Sequence, residues 1–181
     1  MSSLEGSREE RSAAADPRKK TPAGPARLGL LALFVSGPLV VGFLSGSATA
    51  RGVGTWYREL AKPAWTPPDW LFGPVWTILY VLMGVAAYLA WSRGPAGRER
   101  RRAMGLFAAQ LALNGLWSVL FFGLQSPGLA LVEILLLLVL IGATARAFYQ
   151  RSLLAGRLFV PYSIWVGFAA MLNFAIWQMN L

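Results

Sequence analysis

The chain has 181 residues, 56% hydrophobic and 14% charged, with 17 basic against 8 acidic side chains and a net charge of +9. A soluble domain is nearer half apolar and a quarter charged, and one core of this size cannot hide the excess from water, so lipid is the expected solvent for much of the chain. With no histidine and no cysteine, thiol or imidazole catalysis, disulfides, Fe–S clusters and most zinc sites are excluded, and no metal site is expected.

Residues 1–27 hold six basic and four acidic side chains among Ser, Ala, Gly and Pro, with one Leu and no aromatic residue. They offer too little apolar surface to offset the entropy of ordering, so a disordered N-terminal tail is expected. From residue 28 to residue 181 come five apolar stretches, at about 28–50, 71–91, 103–124, 128–149 and 158–181, each long enough to cross a ~30 Å hydrocarbon core as a helix. None alternates with the period of a barrel strand. The expected fold is therefore an all-α integral membrane protein, a bundle of five transmembrane helices. A signal peptide cut after Ala48-Thr49-Ala50 is a competing parse, but the apolar run from Leu28 to Leu44 exceeds a usual h-region.

The charges sort by side. Arg18, Lys19, Lys20 and Arg27 precede the first span; Arg93, Arg98, Arg100, Arg101 and Arg102 face one Glu99 in the second loop; Arg146, Arg151 and Arg157 flank the fourth connection. In a five-span chain these lie on one side, so the positive-inside rule puts the N-terminus in the cytoplasm and the C-terminus outside. That asymmetry explains most of the basicity, and no nucleic-acid partner is expected. Gly42-xxx-Gly46 and Gly105-xxx-Ala109 allow close helix approach, within one chain or across a homodimer.

The first loop, GTWYRELAKPAWTPPDWLFGPVW, holds Trp56, Trp65, Trp70 and Trp76 with Tyr57 and four prolines. Pro63, Pro67, Pro68 and Pro74 restrict torsions and remove donors, so a rigid, non-helical lid is expected. Trp65 and Trp70 equally suit an interfacial aromatic belt. In the second span Trp76, Tyr80, Met83, Ala87 and Trp91 form one helical stripe. The third span aligns Gln110, Asn114, Trp117 and Phe121, its amides serving as helix glue or as cavity groups. Glu133 lies about 8 Å inside the fourth span at about 1.5 Å per residue, either snorkelling or functional. The fifth span offers Tyr162, Trp165, Ala169, Asn173 and Trp177 on one face, and Pro161 should loosen its first turn.

Topology places most of these groups toward the lid side of the bundle. An aromatic pocket with a few amides and one carboxyl is expected there, suited to a flat, largely apolar ligand: a tetrapyrrole, a sterol-like lipid or an aromatic small molecule. No paired carboxylates, P-loop or dinucleotide fingerprint is present, so no conventional catalytic constellation is expected.

The segments WYRELAKPAWTPPDWLFGPVWTILYVLMG, QLALNGLWSVLFFG and PYSIWVGFAAMLNFAIWQMN, in this order across residues 28–181, resemble the TspO/MBR family of tryptophan-rich sensory and translocator proteins. The resemblance implies a five-helix bundle, often a homodimer, that binds porphyrins such as protoporphyrin IX as ligand and needs no cofactor; in animal members it also implies sterol and drug-like ligands. It further implies, for some bacterial members, light-dependent breakdown of protoporphyrin, with Trp76 and Trp165 at the positions linked to that chemistry. By motif position Tyr57, Pro67, Asn114 and Trp117 match pocket residues, and Glu133 stands where several relatives have Asp. The ligand-binding candidates are thus Tyr57, Pro67, Trp76, Tyr80, Asn114, Trp117, Glu133, Trp165 and Asn173. The chain departs from the animal pattern at Phe174, where Tyr is usual, and has no Arg or Lys after Trp177, so the weak sterol pattern is absent. Transport of porphyrin, sterol or another lipid-like molecule is the alternative function.

Overall fold

The computed structural model describes residues 24–53 and 56–181, with backbone alone at residues 48 and 50–53. Among the described residues all regular structure is helical: α1 (Gly24–Val53), α2 (Trp56–Glu59), α3 (Asp69–Ser92), α4 (Arg98–Ser118), α5 (Pro127–Arg151), α6 (Leu153–Arg157) and α7 (Val160–Met179), with a π-helical turn at Val119–Gly123 continuing α4. Five stretches are long and apolar enough to cross a membrane: Gly24–Ser47, Asp69–Ser92, Arg98–Gly123, Pro127–Arg151 and Leu153–Met179. Large apolar side chains such as Leu135, Leu136, Val139 and Ile164 stand exposed along them. A surface of that kind is stable in hydrocarbon and not in water, and the chain is a multi-pass integral membrane protein. The disordered tail expected at the N-terminus falls largely outside the described residues, and α1 already includes residues 24–27.

Local chemistry sets the breaks. Pro127 opens α5 and Pro161 lies in the first turn of α7, positions where a missing N–H costs no intrahelical bond. The fifth span is therefore two helices: α6 ends near Arg157, Leu158 and Phe159 turn, and α7 begins. Ser152 starts α6, its hydroxyl accepting from the Ala155 N–H at 3.4 Å.

Helix α1 packs on α3 and α4, α4 on α5, and α5 on α7. The core between them holds Met83, Ala87, Phe107, Leu137, Ile141, Phe148, Phe159 and Tyr162. The two ends of the bundle differ. At one, Arg151 clasps the end of α3, donating to the carbonyls of Ala90, Arg93 (2.7 Å) and Pro95 (3.3 Å), while Arg100 lies over the Trp91 ring at 5.1 Å. The other end carries the Pro/Trp-rich lid and the C-terminus.

Candidate functional site

The lid is not wholly extended: Trp56–Glu59 forms one helical turn. Lys62 caps that turn. Its ammonium donates to the carbonyls of Tyr57, Leu60 (3.2 Å) and Arg58 (3.5 Å) and lies 4.5 Å from the centroid of the Tyr57 ring, a cation set on the open carbonyl end of a helical turn. After it, Thr66 turns back onto Pro63, backbone to backbone at 3.0 Å and hydroxyl to carbonyl at 2.7 Å. Asn180 fastens this segment to the end of α7, accepting from the Ala61 N–H at 3.0 Å and donating to the Ala61 carbonyl at 2.9 Å. Trp65 and Trp70 remain exposed.

Beneath the lid lies a cavity of about 430 Å³. Helix α1 contributes Leu39, Gly42 and Phe43; the lid, Tyr57; α3, Phe72, Trp76 and Tyr80; α4 and its π turn, Asn114, Trp117, Phe121 and Phe122; α5, Ile134 and Leu137; α7, Trp165, Ala169 and Asn173. Trp76 stacks on Tyr80 at 5.5 Å, and Trp117 on Phe121 at 5.0 Å. The π turn closes with the Leu124 N–H donating to the Val119 carbonyl at 2.8 Å. The consecutive Phe121 and Phe122 of this turn both line the cavity.

A buried polar relay crosses the base. The Tyr80 hydroxyl donates to Asn114 Oδ1 at 2.7 Å, Asn114 Nδ2 donates to the Tyr162 hydroxyl at 3.1 Å, and Tyr162 donates to Gln110 Oε1 at 2.9 Å. A second bridge runs from Trp117 Nε1 to Asn173 Oδ1 at 3.1 Å and from Asn173 Nδ2 to the Pro127 carbonyl at 2.8 Å. Asn114 and Asn173 thus tie helices together and face the cavity at once. Each amide has spent one N–H and one acceptor site, leaving one of each. Gln110, fully buried and off the cavity wall, is glue alone.

A model of the TspO/MBR family matches residues 34–178. The chain belongs to the TspO/MBR family. It is 47% identical over 150 residues to the tryptophan-rich protein TspO of Chlorobaculum tepidum, covering 83% of this chain and 95% of that one. To the translocator protein of Sus scrofa it is 45% identical over 149 residues, 81% of this chain and 88% of the relative. The tryptophan-rich sensory protein of Cereibacter sphaeroides is 42% identical over 125 residues, 69% of this chain and 77% of the relative.

In this TspO/MBR chain the cavity gathers Tyr57, Trp76, Tyr80, Asn114, Trp117, Trp165 and Asn173 of the nine ligand-binding candidates named from sequence. Pro67 is half-buried in the lid and off the wall. Glu133 precedes the wall residue Ile134 but does not line the cavity itself; it is 5% exposed, so it does not snorkel, and its carboxylate oxygens have no hydrogen-bond partner among the described residues. Burial lifts the Tyr57 phenol, outside the spans, to about 12, with the nearby Asp69 charge adding to the effect. Sequence reading missed Tyr162 as the hub of the relay and Gly42 as a wall residue. The signals were present: a Tyr on the polar face of the fifth span, and the small-residue spacing Gly42-xxx-Gly46, whose first glycine the structure sets against the Tyr80 ring.

Proposed function

We propose that this protein is a membrane receptor or sensor whose cavity binds a flat, largely apolar tetrapyrrole of the protoporphyrin IX class. The observation that carries the reading is the aromatic cavity of about 430 Å³ with two amides in its wall. That volume lies within the roughly 300–1,000 Å³ of small-molecule sites. Indole and phenol faces favour offset stacking on a planar π system, and the spare N–H and lone pair of Asn114 and Asn173 would orient polar groups at its edge. No cofactor is needed for this role.

The reading extends to light-dependent oxidative breakdown of the bound porphyrin. Trp76 and Trp165 both face the cavity, so an excited porphyrin would touch an indole able to donate an electron, with dioxygen as the terminal oxidant. The name of the pig relative, translocator protein, favours a second reading, transport of porphyrin, sterol or another lipid-like molecule. By the positive-inside rule the arginine-rich end is cytoplasmic and the lid and C-terminus lie outside. We also infer a homodimer. Gly105 and Ala109 are exposed on α4, which makes that pair the candidate seam, whereas Gly42 is used inside the bundle against Tyr80.

The deciding experiment is titration of the purified protein with protoporphyrin IX, followed by tryptophan fluorescence and porphyrin absorbance. Saturable quenching, weakened in Asn114→Ala, is the expected result. Unchanged fluorescence with identical wild-type and variant behaviour would overturn the reading. Liposome flux with no protein-dependent movement would remove the transport alternative.

A further inference from the structure

Trp165 belongs to two surfaces at once. It lines the cavity, and it also floors a shallow apolar groove on the outside of the bundle, formed by Val75 and Leu79 of α3 and by Pro161, Ile164 and Phe168 of α7. One side chain therefore stands between the cavity and the surface facing the hydrocarbon layer. Ile164, on the outer side of this wall, is 68% exposed, as a lipid-facing residue should be.

The two ways into the cavity are held with different strength. The lid is joined to the end of α7 by the two hydrogen bonds between Asn180 and Ala61, and its Trp56 and Tyr57 rings pack on Phe121, while the three carbonyl contacts of Lys62 and the Pro63–Thr66 turn stiffen the lid itself. The wall is tied by none: the Trp165 indole N–H is buried with no acceptor among the described residues, and its ring meets Phe72 edge-on at 5.8 Å and lies tilted against Phe168 at 5.6 Å. Among the described residues no hydrogen bond joins α3 directly to α7. Moving the indole breaks no hydrogen bond, because its N–H has no acceptor among the described residues to lose. Lifting the lid breaks the two bonds between Asn180 and Ala61 and strips Tyr57 from Phe121.

We propose that apolar ligands enter the cavity sideways from the hydrocarbon layer, between α3 and α7, with the Trp165 indole as the movable wall. The proposal rests on the reading of the cavity as a ligand site. A flat apolar molecule dissolved in the bilayer is already concentrated beside the groove, and it slides between the side chains of Val75 and Ile164 without passing through water. The pinned lid then serves as a roof.

The absence of native cysteine allows a test that involves no tetrapyrrole. Ser118 is buried and lines the cavity, so Ser118→Cys places a single thiol inside. In phosphatidylcholine nanodiscs its labelling by the membrane-partitioning N-(1-pyrenyl)maleimide is followed over time. Adding Ile164→Trp, which plugs the groove from the lipid side, should slow labelling on the order of tenfold, and Ile164→Ala, which opens it, should speed it several-fold. Asn180→Ala, which unfastens the lid, should leave the rate within about twofold. A rate indifferent to both groove variants, or one raised well beyond that by Asn180→Ala, overturns the proposal. Because the probe is not a porphyrin, failure of porphyrin binding and failure of sideways entry are separate results.

Discussion

Tyr80 of α3 and Asn114 of α4, 34 positions apart, meet through a 2.7 Å hydrogen bond in which the phenol donates to the amide oxygen. Asn114 passes the connection on to Tyr162 of α7. Three helices are thereby held at a fixed rotation about the cavity base, and the same amide faces the ligand space. Replacing Asn114 by Ala leaves the Tyr80 hydroxyl without its acceptor in a buried site, a cost of about 1–3 kcal/mol. A lower melting temperature in detergent, together with weaker protoporphyrin quenching, is the expected pair of results; loss of binding with unchanged melting would show that the relay does not hold the bundle.

The close approach of α1 and α3 depends on two glycines that differ in what a side chain would strike. A Cβ at Gly84 would lie 2.5 Å from the Val35 Cα and 2.8 Å from the Phe34 carbonyl oxygen, both backbone, whereas at Gly42 its nearest neighbours would all be atoms of the Tyr80 ring. Backbone cannot swing aside, so Gly84→Ala should destabilise more than Gly42→Ala. Its overpacking cost of about 1–3 kcal/mol exceeds the roughly 1 kcal/mol gained in helix propensity. Gly42→Ala should instead shift Tyr80 and reduce ligand affinity. Thermal melts and titrations of the two variants separate the cases.

Glu133 is a liability as far as packing is concerned. Its buried carboxyl has no hydrogen-bond partner among the described residues, and an unpartnered polar group in an apolar interior costs about 1–3 kcal/mol by mutational measures. Glu133→Leu should therefore raise the melting temperature of the ligand-free protein. A lower melting temperature would mean that the carboxyl has a stabilising partner in the membrane.

Alkaline pH should loosen the lid through Tyr57. Its folded-state pKa, raised to about 12 from an ordinary value of 10.0, means that the folded chain keeps a proton the unfolded chain releases. The stability this group contributes is present below pH 10 and falls as pH rises toward 12. Amide exchange of the lid should accelerate over that window, and Tyr57→Phe should flatten the response there.

If bound porphyrin is oxidised under light, the indoles that touch it should be required. Trp76→Phe and Trp165→Phe keep an aromatic wall but remove the more easily oxidised ring, so each should slow the loss of porphyrin absorbance while leaving most of the binding intact. Degradation at the wild-type rate in both variants would remove the tryptophans from that chemistry.

The sequence by itself determined the five membrane spans, because about twenty consecutive apolar residues are a local property that any helix in lipid expresses alone. It also determined which faces of the third and fifth spans turn inward, since Gln110, Asn114 and Asn173 have nowhere else to place their amides in hydrocarbon. Trp76, Tyr80, Trp117 and Trp165 could be read as one aromatic wall from helical spacing and topology. Which partner each polar group takes depends on the rotation and register of one helix against another, set by contacts between residues far apart in the chain. Only the tertiary structure decided that Tyr162 is the centre of the relay, that Glu133 stands behind the cavity wall and not on it, and that the third span ends in a π turn whose Phe121 and Phe122 both line the cavity. It also decided that Lys62 caps a helical turn in a loop whose prolines favour extension, because three carbonyls converge on one ammonium there.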